Sequence, residues 1–208
     1  MKIDFLSDDG RGRTALIART ETGDAVPAVD CLLMDAAPLE IDYDRVALAA
    51  CLIFGGSSDK LEFGWPVSPR LAGAISSSIG CRVSSLIVER DDMVEAIQAT
   101  RLQVTLSLTI PSGTPPRDCT RLTIVPSERF YGSLHGVKEA IVGSNAWLLT
   151  DYVSEAYVMA AVGALYSRDF LASAVEISGL EALSSSELMV IRELYRSVDL
   201  GLESVGGH

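Results

Sequence analysis

The chain has 208 residues, 48% of them apolar and 22% charged, with a formal net charge of -11. A chain of this size and mix buries enough surface to offset its ordering entropy, which excludes wholesale disorder. Acidity without a Lys/Arg cluster argues against a nucleic-acid surface and against docking on an anionic membrane.

Read in chain order, Lys2–Ser7 is a strand with Ile3 and Phe5 on one face, and the turn residues Asp8–Asp9–Gly10–Arg11–Gly12 join it as a hairpin to a second strand, Thr14–Thr20. Val26–Met34 reads as a third. Tyr43–Phe54 is a helix, capped by Asp42 or Asp44, closed by Gly55–Gly56, and apolar on most sides. Lys60–Trp65 alternates as a strand. Ser68–Pro69 opens a helix that runs to Ile79 and ends at Gly80. Ser84–Glu89 is a strand and Asp91–Thr100 a helix with acidic residues in its first turn.

Leu102, Val104, Leu106, Leu108 and Ile110 alternate with polar residues, the period-two signature of a sheet with one wet face. An antiparallel return through Thr120–Val125 is the simplest expectation. Helices are expected over 136–149 and 151–168, then a short strand at Ala172–Ile177. Ser184 and Glu187 form a capping box for a last helix, whose stripe runs Leu188, Ile191, Tyr195, Val198 and Leu202. The sum is an α+β fold: a mixed or mostly antiparallel sheet packed with helices, and a helix-rich C-terminal third. A single compact domain over 1–208 is expected, with a possible sub-boundary in the loop 111–119.

Cys31, Cys51, Cys81 and Cys119 are widely spaced with no CxxC pair, and there are two histidines. That predicts no metal site and no cofactor. No basic start followed by an apolar run opens the chain, so a cytoplasmic setting with reduced thiols is expected. The longest nearly apolar stretch, Val46–Phe54, falls short of the roughly 20 residues that span a bilayer.

Chemistry has few places to sit. His135 is the candidate general base, with Ser133, Cys119, Asp118 and Glu128 as neighbours in sequence, but no GxSxG pattern appears. Arg117, Arg121, Arg129 and Lys138 could together form a small anion or nucleotide pocket, since guanidinium groups grip phosphate and carboxylate. Gly55–Gly56–Ser57–Ser58–Asp59 lacks GxxxxGK[ST] and closes a helix rather than opening one, so it is a cap and not a phosphate loop.

The helix bearing Val46, Ala49 and Ala50, then Leu61–Glu62–Phe63–Gly64–Trp65–Pro66–Val67–Ser68, Leu71, Gly80 and Val83–Ser84, resembles the non-catalytic front region of 7-cyano-7-deazaguanine synthase-like proteins of bacterial defence operons. The resemblance covers residues 43–89, with Pro66–Val67–Ser68 its most specific element. The SGGxDS pyrophosphate loop of that family is absent, so no nucleotide site carries over. What the resemblance implies is a non-catalytic relative or accessory subunit. The expected function is a non-enzymatic accessory or binding protein, acting through an interface with another chain or with itself. The final helical stripe is the candidate surface. The alternative is a small enzyme or anion-ligand binder at residues 117–138.

Overall fold

A computed structural model describes residues 1–8, 12–88, 100–110, 119–128, 133–136 and 138–205. In chain order these form β1 (Lys2–Asp8), β2 (Arg13–Arg19), β3 (Cys31–Met34), α1 (Tyr43–Phe54), β4 (Lys60–Phe63), α2 (Pro69–Ile79), β5 (Arg82–Ser84), β6 (Thr100–Leu106), β7 (Cys119–Pro126), β8 (Ser133–His135), β9 (Glu139–Ser144), α3 (Ala146–Leu149), α4 (Glu155–Tyr166), β10 (Ala172–Ile177), α5 (Ser185–Ser197) and β11 (Gly201–Ser204). The fold is α+β with a mixed sheet. The helix expected over 91–100 lies outside the described residues, except that Thr100 opens β6. The loop 111–118 and the turn residues 9–11 also lie outside them.

The strands make one sheet in the order β11-β10-β6-β7-β9-β3-β2-β1-β4-β5, with β8 beside β9. It has two halves. From β11 to β9 every neighbour is parallel. From β3 to β1 the neighbours are antiparallel, and β4 and β5 then extend β1 in parallel. The halves meet at a single pairing, Met34 with Ser144, tied by Ser144 Oγ donating to Leu33 O at 2.7 Å.

Two expectations are corrected here. β6 and β7 are parallel, not an antiparallel return, so the sheet is mixed rather than mostly antiparallel. The stretch expected as one helix over 136–149 instead holds β9, which pairs with β8 as a hairpin, followed by α3. β9 lies inside the sheet with Ala140, Ile141 and Val142 all buried, and a strand covered on both faces shows no alternation to read. Smaller differences follow the same logic. β3 begins only at Cys31, and β6 stops at Leu106, leaving Leu108 53% exposed and Ile110 51%. The expected core positions at Leu108 and Ile110 are therefore surface. Gly55 stands at the C-cap of α1 as expected, its N–H donating to Cys51 O, but it is right-handed (φ -60) and leads into a 3-10 turn rather than adopting the left-handed conformation.

The helices pack together in one layer, α1 against α4 and α2 against α5, with α4 resting on β6 and β10. Local signals explain their ends. Asp42 accepts from Asp44 N and Arg45 N, Ser68 caps α2 ahead of Pro69, and Gly80 (φ 74) closes it. Ser184 and Glu187 complete the expected capping box of α5. Ile3, Leu16, Leu32, Leu61, Leu102, Val104, Leu122, Ile124, Val142 and Val175 bring the sheet's inner face to this layer as one core.

Candidate functional site

The expected arginine and histidine cluster is brought together only in part. Arg121 lies on β7 opposite Glu139 on β9. Its Nε and Nη2 donate to Glu139 Oε1 at 2.8 and 2.5 Å. Its backbone N–H donates to Lys138 O at 2.9 Å, and Lys138 is exposed on the β8–β9 turn. His135 closes β8 in register with Ala140. Arg117 and Arg129 lie outside the described residues. Glu139, which sequence reasoning missed, already engages the Arg121 guanidinium. Its relevance becomes visible only once the parallel register is known.

The same outer face continues this pattern. On β6, Arg101 bridges Glu176 of β10 at 3.0 Å and Glu203 of β11 at 3.4 Å. Across the parallel half, then, acidic and basic side chains alternate and balance locally. That suits a water-facing sheet surface better than an anion trap.

The stripe on the last helix is corrected as a docking surface. Ile191, Tyr195, Val198 and Leu202 are buried in the chain's own core, and Leu188 packs half-buried against it. Tyr195 donates its hydroxyl to Ala160 O at 2.5 Å, and burial pushes its acidity well below that of a free phenol. Leu202 is not helical at all but sits in β11.

A polar network sits where the N-termini of α1 and α2 meet the end of α4. Asp42 faces Arg45 Nε at 3.4 Å and Arg168 Nε at 3.2 Å. Arg45 Nη1 donates to Ser167 Oγ at 2.6 Å, and Asp44 accepts from Ser68 N at 2.8 Å. Asp42, Asp44 and Arg45 are buried and Arg168 half-buried, and each carboxylate meets a cation or a backbone N–H, so the network fixes helix positions. At the sheet's opposite rim the Met1 ammonium meets Asp24 at 2.8 Å and Lys60 O at 2.9 Å. That ammonium, with Ser58 and the Glu21 N–H, lowers the Asp24 carboxyl to about 2. Burial raises the Cys51 thiol, and burial with nearby Asp30 raises that of Cys31, so neither is primed as a nucleophile.

A feature missed in sequence lies on the outer face of the antiparallel half. Leu6, Ala15 and Leu33 stand side by side across β1, β2 and β3, with Ile17 one step along β2. Leu6 is 55% exposed and Leu33 45%. The Arg13–Asp35 pair (3.5 Å) bounds this row at one end and the Arg19–Asp4 pair at the other. The available signal was Leu6 itself, an apolar residue where the alternation of Lys2 and Asp4 calls for a polar one.

Among the described residues no set of three His, Cys, Asp or Glu groups is arranged to hold a metal ion, and no helix is long and apolar enough to cross a membrane. No family model matches the chain, and no curated protein or solved structure matches it either.

Proposed function

We propose that this chain is a non-enzymatic accessory or binding protein of the cytoplasm, and that its working surface is the outer face of the antiparallel half of the sheet. The observation carrying this reading is the contiguous apolar row Leu6–Ala15–Leu33 with Ile17, open to solvent on the side away from the helices. Apolar side chains grouped on a surface gain by being covered. The rim charges there are already paired, so the patch is close to neutral in a chain that is strongly acidic overall. Two copies can therefore approach face to face, sheet on sheet about 10 Å apart, without opposing unpaired carboxylates. The resemblance of residues 43–89 to a non-catalytic region supports the same accessory role.

An anion-binding role at Arg121 and Lys138 is the weaker reading, because Glu139 competes for the guanidinium. Light scattering behind size-exclusion tests the main one. Wild-type protein is expected to self-associate as concentration rises, and Leu6→Lys with Leu33→Lys to remain monomeric with an unchanged circular dichroism spectrum. A wild type that stays monomeric throughout contradicts the reading.

A further inference from the structure

The apolar row on the outer face does not stop at β1. The parallel register that pairs Lys2 with Glu62 and Ile3 with Phe63 brings Pro66 to the level of Leu6, each four residues beyond the first pair. One residue earlier on each segment, the Phe5 and Trp65 rings meet on the inner side with centroids 6.2 Å apart, so the two segments are still neighbours there. Val67 is buried on that same inner side, and Pro66 is exposed on the outer one. The segment after β5 carries the row further. Val67 and Ile87 form a parallel bridge, in which Val67 N–H donates to Leu86 O at 3.0 Å and Val88 N–H to Val67 O at 3.3 Å. Bridge partners point to one face, so Leu86 and Val88, on either side of Ile87, stand on the outer face. Leu86 is 70% exposed and Val88 45%.

Leu33, Ala15, Leu6, Pro66 and Leu86 thus make one line across five neighbouring segments of chain, ending at the edge of the sheet. We propose that a second copy of this chain covers the whole line, with Leu86 as an anchor of the contact. This rests on the reading that two copies meet through this face. Leu33, Ala15 and Leu6 alone span about 10 Å, and the full line about 19 Å. A stable interface covers roughly 800 Å² on each partner, a patch about 28 Å across; the full line comes near that and the short row does not. Charge favours the same occupant. The Lys60–Glu62 pair beside the line, 3.1 Å apart, adds no net charge. Arg82, paired in register with Lys60 on the outer face, adds a cation, which helps a second chain of net charge -11 to approach.

Light scattering over a dilution series gives the dimer dissociation constant of the wild type and of single surface variants. Leu86→Lys is expected to raise it about tenfold or more. Met189→Lys, at a site just as open (69%) but on α5, is expected to leave it unchanged. Val88→Lys is the second variant should Leu86→Lys fail to fold by circular dichroism, and it too is expected to weaken the dimer. A dimer that Leu6→Lys disrupts but that Leu86→Lys and Val88→Lys leave as tight as the wild type overturns the extension and spares the contact at Leu6 and Leu33. A wild type that is monomeric at every concentration overturns both.

Discussion

A methyl group added at Gly163 would stand 2.6 Å from Val175 Cγ1 and 3.0 Å from Val104 Cγ2. The absence of a side chain is what lets α4 lie directly on β10 and β6. Gly163→Ala should therefore destabilise by about 1–3 kcal/mol through overpacking, despite alanine's better helix propensity, and denaturant unfolding checks this. Asp24 gives a prediction in pH. Its folded pKa of about 2 lies below the unfolded value near 4, so its contribution is present above pH ~4 and is lost as pH falls toward 2. Asp24→Asn should flatten that part of the acid-unfolding curve and leave its slope above pH 5 unchanged. Neither role is legible in sequence. Gly163 sits among alanines that predict close packing but not against what, and Asp24 finds the Met1 ammonium and Ser58 only when β4 aligns beside β1.

Elements were read best where the signal was local. The caps Asp42, Ser68 and Ser184 and the left-handed Gly80 each act within one turn of chain, and α1, α2 and α5 begin or end where those residues stand. Removing the α5 cap with Ser184→Ala should cost about 1 kcal/mol, seen as a Tm lower by about 2–4 °C. The low-lying carboxyl of Glu187, held down mainly by hydrogen bonding to Ser184, should rise in the same variant, a change NMR titration resolves. Readings failed where the outcome depended on distant strands. Whether β7 runs with or against β6 is set by long-range pairing, and β7 pairs in parallel with both β6 and β9. The apolar run of β9 carries no period of two that would tell it from a helix, and the four residues of β11 hold too little pattern to mark a strand.

The whole molecule is a sheet of two characters joined at one pairing. The parallel half dresses its outer face with compensated charges, Arg101 with Glu176 and Glu203, and Arg121 with Glu139. The antiparallel half leaves Leu6, Ala15, Ile17 and Leu33 there instead. α+β class, the helical layer and the position of the core were all legible from apolar spacing, since burial of one face is what that spacing encodes. The candidate surface was not, because whether an apolar residue faces a helix or water depends on which side of the sheet the helices take. The last helix, which carried the better amphipathic signal, spends it inside the chain. The most direct test is the attenuation of the Leu6, Ile17 and Leu33 methyl signals by a soluble paramagnetic probe at low and high protein concentration. The account predicts strong attenuation when dilute and protection when concentrated. Methyls shielded at every concentration, or equally attenuated at every concentration, would contradict it.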